Sequence, residues 1–384
     1  LCFVYCVIFG SILSFQWFCF GSSDDYTSAF GNNFDGYTVI KDSQEYALSF
    51  GGELTDETLQ QIVSDYQQME ADGMEEELEK TDWQIVNSWL GTLYPELRDT
   101  GNYKTMISYV DPDKLTGFYE RRQQVLDEFL EVSGQVGAEK EYLHQIDGKV
   151  EKPFHYEWVE GWSTLLGSMV ADLGVVMALF LGIVLSSLFA GEWHDNTSTL
   201  VLTTRNGWGK IALAKILTGL AFTVELFALL AVSSVISQLF FMGTAGWNMP
   251  IQNIKLIAVA PMNMLQAEIY EYAFVLLGAI GFAGIVMFIS AAVKNNVLTL
   301  LLSLLSLTVV YGPMMIAEYL PYGMQKALDL IPLVGSSTDI FRTNTFRIFG
   351  KLIWSPYLLI IIPVLIGILC MPFAIKSWSR RMKA

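Results

Sequence analysis

FAGEWHDNTSTLVLTTRNGWGKIALAK, residues 189–215, gathers Glu192, His194, Asp195, Arg205, Lys210 and Lys215 into one short stretch. Apolar runs lie on both sides of it, 164–190 before and 211–242 after. Each has the roughly 20 residues that a helix needs to cross the hydrocarbon of a bilayer. The stretch therefore reads as a polar excursion between two membrane spans. Applied to the whole chain, the same criterion finds six such runs: 1–20, 164–190, 211–242, 270–293, 297–317 and 355–375. The expected fold is an all-α membrane protein with six transmembrane helices.

Charge divides the chain in the same way. The 384 residues are 52% hydrophobic and 16% charged, yet the net charge is −16. Residues 21–160 hold 30 Asp+Glu against 10 Lys+Arg, a net of −20, and the remainder holds 9 acids and 13 bases. An acidic, soluble-looking domain thus interrupts a mildly basic, very apolar chain. Such acidity disfavours nucleic acid as a partner, because phosphate binding needs a basic face. The domains expected are a first helix at 1–20, an acidic domain at 21–160, and a five-helix region at 161–384. The first run opens at Leu1 without Met, so a cytoplasmic start is expected ahead of it. It could also be the apolar part of a signal peptide. A retained span is favoured, because no small-x-small cleavage site follows it.

Lys and Arg in short loops set the orientation. With the C-terminus inside, the cytoplasmic side holds Arg205, Lys210, Lys215, Lys294, Lys376, Arg380, Arg381 and Lys383. The other side holds Lys255, Lys326, Arg342, Arg347 and Lys351. Both termini are then cytoplasmic and residues 21–160 extracellular, with the plasma membrane as the expected location. Trp158, Trp162, Trp193, Trp247, Trp354 and Trp378 fall near span ends, as an interfacial aromatic belt would. Gly278, Gly281 and Gly284 would let helices approach closely.

The acidic domain reads as mostly helical. Leu59, Ile62, Val63, Tyr66 and Met69 recur at helical spacing after Thr55, a cap-like residue followed by Thr58 where a full capping box has Glu. A second stripe runs through Leu115, Phe118, Tyr119, Val125, Leu126, Phe129 and Leu130. FGNNFDGY reads as an irregular loop. All four cysteines (Cys2, Cys6, Cys19 and Cys370) lie in apolar runs, so no disulfide framework is expected here. The segment 318–354, with Pro321, Pro332, Gly335 and Gly350, reads as short helices at or dipping into the outer face.

Chemistry-bearing motifs are few. GWGKI at 207–211 is not a phosphate loop, because Thr204 and Ile211 stand where Gly and Ser/Thr are needed. Glu192, His194 and Asp195 lack a second cluster to complete a metal shell, so no metal is expected. Asp172 and Glu225 lie inside spans, where a charge is expensive and usually faces a bundle interior or cavity. They either line a substrate path or pair across helices; the plainer reading is a neutral, packed carboxyl. The surplus of acids at 21–160 could capture a cationic peptide, or simply keep the domain solvated.

LFAGEW followed by NTSTLVLTTRNGWGKIALAK resembles the permease subunits of ABC-2-type exporters with a large extracellular domain between the first two spans. The matching residues are Glu192, Thr197, Leu202, Thr203, Thr204, Gly207, Lys210, Ala214 and Lys215. Asn196 stands where the family usually has Gly, and Trp208 where it has Arg. KPFHYEWVEGWSTLL, ISAAVKNN, YLPYG and LIPLVG extend the resemblance over most of 150–375, and little of 25–140. It implies that the cytoplasmic segment 190–215 contacts a partner ATPase. Glu192, Thr197, Thr203, Thr204, Arg205, Gly207, Lys210 and Lys215 are the coupling candidates, with the bases near lipid phosphates or the ATPase surface. It also implies a second permease subunit and ATP bound by the partner, so no cofactor is expected in this chain. The cargo stays open between peptide, lipid and drug. Two rivals remain: a sensor or accessory protein that binds a peptide through its outer domain, and an ion-coupled carrier using Asp172 and Glu225. The absence of inverted halves in the hydropathy pattern disfavours the carrier.

Overall fold

The computed structural model describes residues 51–74, 84–99, 104–195, 209–293, 295–316 and 343–380, with 44, 197, 319–320, 324 and 341 as isolated positions. The apolar run 1–20 and the loop FGNNFDGY lie outside the described residues.

Among its described residues the acidic domain has four α-helices: α1 (Asp56–Ala71), α2 (Gln84–Leu93), α3 (Phe118–Val132) and α4 (Ala138–Asp147). Thr55 caps α1 by accepting from Thr58 N at 3.2 Å, while the Thr58 hydroxyl donates to Glu53 O. The Thr in the Glu position thus still ties down the preceding chain. Asp56 also accepts from Gly117 N and Phe118 N at 2.6 and 2.9 Å, placing a carboxylate on the first turn of α3. Gly117 sits there at φ 70°, a conformation that disfavours any residue with a Cβ. Leu59, Ile62, Val63, Leu115 and Phe118 of the predicted stripes join Trp89, Leu90 and Phe154 in one core, whereas Leu126 and Leu130 pack into a second one with Trp162, Leu165, Met264 and Ala267. The domain also contains strands. β1 (Gly52–Leu54) pairs antiparallel with β2 (Phe154–Tyr156), closing the domain's two ends on each other.

Among the described residues, four helices are long and apolar enough to cross a membrane: α5 (Glu160–His194), α6 (Lys210–Met242), α7 (Met264–Ala292) and α9 (Ser355–Arg380). A fifth apolar helix, α8 (Asn296–Ile316), lies between α7 and α9. α7 is central and packs against α5, α6, α8 and α9. Its seam with α9 is made of glycines. A Cβ on Gly281 would stand 2.5 Å from Pro363 O, and one on Gly284 2.8 Å from Gly367 Cα. The predicted close approach is therefore internal to the chain.

The segment 318–354 ends in a hairpin that hydropathy did not predict, β3 (Thr345–Ile348) and β4 (Lys351–Trp354), with Ile348 opposite Lys351. Phe349 and Gly350 turn it at φ 47° and 81°, the left-handed pair that matches strand twist in a two-residue loop. TFRI and KLIW are rich in strand-forming residues, and Gly350 permits the turn. The rest of the predicted re-entrant stretch lies largely outside the described residues.

The apolar helices and the acidic domain are joined through the loop between α6 and α7. Arg122, fully buried on α3, meets Asp147 of α4 bidentately at 2.6 and 3.1 Å. The same guanidinium donates to Leu256 O at 2.7 Å and Ala258 O at 3.0 Å in that loop. Trp89 Nε1 donates to Asn253 O, and Asn253 Nδ2 to His155 O. On the hairpin side, Thr345 Oγ1 donates to Gln135 Oε1 at 2.8 Å.

Candidate functional site

The excursion at 190–215 leaves the membrane from α5 and returns into α6. Its two ends are fastened together. Glu192 Oε1, on the last turn of α5, lies 2.6 Å from Lys215 Nζ, on the second turn of α6. Their side chains are 20% and 15% exposed, so the pair is largely withdrawn from water. Partial burial makes the loss of one partner more costly than at an exposed ion pair. Lys215 also donates to Leu188 O, and its ammonium faces the rings of Phe189 and Trp378 at 5.3 and 5.6 Å. Trp378, fully buried on α9, packs edge-on against Trp193. One lysine thereby holds together the C-terminal end of α5, the N-terminal end of α6 and the C-terminal end of α9.

α7 joins them through Ser290. Its hydroxyl donates to Ser186 O at 2.7 Å and accepts from Phe189 N and Ala190 N at 3.0 and 3.2 Å. A side chain of α7 thus enters the hydrogen-bond ladder of α5 one turn before Glu192. Insertions of this kind are where helices bend.

The other coupling candidates are distributed unevenly. Thr197 N and Oγ1 donate back to Glu192 O at 3.1 and 3.4 Å, continuing the last turn of α5. Lys210 is the first residue of α6 and is exposed. Thr203, Thr204, Arg205 and Gly207 lie outside the described residues. Glu192 and Lys215 face each other rather than outward, which makes them positioning residues instead of surface contacts. His194 reaches its neighbour Asp195 at 3.1 Å. Among the described residues no group of three or more His, Cys, Asp or Glu is placed to hold a metal.

Asp172 and Glu225 do not pair across helices among the described residues, and both side chains are exposed. Each stands off its helix's buried stripe, which on α5 is Val170, Leu173, Met177 and Leu181 and on α6 is Leu226 and Leu230. The buried acids of the membrane region are others, Glu268 and Glu271, on the first two turns of α7. A sequence signal for them existed. Asn263 and Gln266 form a complete capping box that starts α7 at Met264, six residues before the apolar run at 270–293. That start places both glutamates inside the helix.

A polar cavity of about 400 Å³ opens between the acidic domain and the α6–α7 loop. Lys149, Glu151, His155, Asn248, Gln252 and Asn263 are among its lining residues. Gln252 is fully buried and donates to Ala258 O and Ala260 O, which fixes its amide at the cavity wall. No family model matches this chain, and neither a characterised protein nor a solved structure does.

Proposed function

We propose that this chain is the membrane-spanning permease subunit of an ATP-driven exporter of the ABC-2 type. ATP is bound and hydrolysed by a separate ATPase subunit, and the cargo is a peptide, lipid or drug. The observation that carries the reading is the Glu192–Lys215 pair at the base of the 190–215 segment. A partner that pushes a cytoplasmic segment needs its two stems to move as one body. Lys215 supplies that tie and extends it to α9 through Trp378, while Ser290 extends it to α7. Contact with the ATPase then falls to the residues beyond the tie, Thr203, Thr204, Arg205, Gly207 and Lys210.

A second permease subunit, identical or related, completes the transporter. The exposed carboxylates of Asp172 and Glu225 support this, because a charge on a lipid-facing helix surface is costly. A shared, partly hydrated path between subunits relieves that cost. In this reading the protein sits in the plasma membrane with both termini inside and residues 21–160 outside.

The test is co-purification from native membranes in a mild detergent, with an Arg205→Ala/Lys210→Ala double variant alongside. An ATPase subunit should accompany the wild type and be depleted from the variant. A wild type that brings down no ATPase sinks the exporter reading.

A further inference from the structure

Two polar side chains on the facing sides of α6 and α7 have no use in the coupling scheme. Gln238 of α6 is fully buried, and neither atom of its amide has a hydrogen-bond partner. Glu268 of α7 is 4% exposed, and neither carboxyl oxygen makes a hydrogen bond of regular geometry. Glu268 has Tyr272 as its polar neighbour, and none of its ion pairs or charge contacts among the described residues involves a base.

Helix register brings the two together. Ser234 Oγ of α6 lies 3.2 Å from the Tyr272 hydroxyl of α7. Gln238 is one turn beyond Ser234, and Glu268 one turn before Tyr272. Because α6 and α7 run in opposite directions, both steps lead toward the outer face and end at the same level. Glu271, fully buried and three residues after Glu268, adds a second acid to the same stretch of α7.

We infer that Gln238 and Glu268, with the hydroxyls of Tyr272 and Ser234 below them, form an oxygen-lined site that holds a monovalent cation between α6 and α7. A buried carboxylate needs either a proton or a positive charge beside it. A protonated Glu268 would donate to the Gln238 amide across the gap. That hydrogen bond is not made, and the polar atoms of both side chains are left without a partner of regular geometry. The donors are carboxylate, amide and hydroxyl oxygens, a hard set that suits an alkali-metal ion or an ammonium group and not a thiolate- or imidazole-seeking metal. The site stands apart from the exporter reading, since a cation held there is a property of the α6–α7 pair alone.

The experiment is thermal unfolding of the purified full chain in detergent, at fixed pH and equal ionic strength. The salts are sodium, potassium, methylammonium and choline chloride. At least one of the first three should raise the wild-type Tm above that in choline by about 5 °C, as expected for an occupied site. Sodium or potassium acting alone identifies a metal ion; methylammonium acting alone identifies an ammonium group. Glu268→Gln should abolish the salt-specific rise while leaving the protein folded in choline, and Gln238→Leu should weaken it. Equal wild-type Tm in all four salts overturns the inference, as does a rise that survives both substitutions. Neither result bears on whether an ATPase co-purifies.

Discussion

Arg122→Met tests whether the outer domain is clamped to the membrane region through one buried charge. Arg122 is 0% exposed and Asp147 2%. Removing the guanidinium strands a buried carboxylate, which costs about 3–5 kcal/mol. Leu256 O loses its Arg122 donor, at about 1–3 kcal/mol if nothing replaces it. Ala258 O keeps the Gln252 amide. Local opening that lets water reach Asp147 also reaches Leu256, so the two losses overlap and about 5 kcal/mol is the expected total. Thermal unfolding of the detergent-solubilised protein, followed by tryptophan fluorescence, should show Tm lowered by about 10 °C or more. Trp89 reports directly, since its indole donates into the same loop. Arg122→Met/Asp147→Leu should recover at least half of the loss, because it removes the stranded charge while Leu256 O stays unsatisfied. A single variant within about 2 °C of wild type refutes the clamp. So does a double variant whose loss equals the sum of the two singles, since contacting charges must couple.

Three further outcomes follow. Lys215→Met should leave the ATPase co-purifying but abolish the stimulation of ATP hydrolysis by cargo, with Lys215→Arg partly active; loss of co-purification instead would make Lys215 a surface contact. Gly284→Leu should prevent stable accumulation in the membrane, because its Cβ alone would stand 2.8 Å from Gly367 Cα, whereas Gly167→Ala, with nothing within 4 Å, should change Tm by less than about 2 °C. Burial pushes the phenols of Tyr94 and Tyr119 up to about 12, while in the unfolded chain they titrate near the ordinary phenol value of 10.0. Their contribution to stability is therefore full below pH 10 and falls as the pH rises toward 12, read as a declining denaturant midpoint with phenolate absorbance lagging behind that of free tyrosine.

The apolar runs were legible because length and composition mark a candidate span: the run at 211–242 became α6 at 210–242, and 355–375 falls within α9 at 355–380. Helical periodicity likewise placed Leu59, Ile62 and Val63 inside. What hydropathy missed was polar. α7 starts at a capping box, not at the first apolar residue, so Glu268 was left outside its span, and Glu271, the second residue of the run, was passed over. The hairpin at 345–354 was hidden because Pro and Gly nearby signal irregularity without saying which kind, and two four-residue strands offer little alternation to read. Arg122 reads as one more charge on an acidic domain's surface. Only the folded chain brings Asp147 and two loop carbonyls around it. Within the coupling segment, Glu192 and Lys215 were singled out by resemblance, but their mutual pairing depends on where α5 ends and α6 begins.

These polar fastenings are not scattered; they concentrate at the two ends of α7. At its C-terminal end, Ser290 enters the ladder of α5 beside the Glu192–Lys215 tie. At its N-terminal end, the loop that leads into Asn263 carries Asn253, Leu256 and Ala258, the acceptors that Trp89 and Arg122 of the acidic domain hold. Between those ends, Gly281 and Gly284 bring α7 against the backbone of α9, an approach that leaves little room for independent sliding. A displacement imposed at residues 190–215 therefore has two routes: bending of α5 at Ser186–Ala190, or movement of α7 with α9. The first would spend the motion at the inner face. The second would deliver it to the α6–α7 loop, and through Arg122 to the outer domain. In an exporter of the proposed kind, the outer domain then moves in step with the ATPase, although no residue of one touches the other.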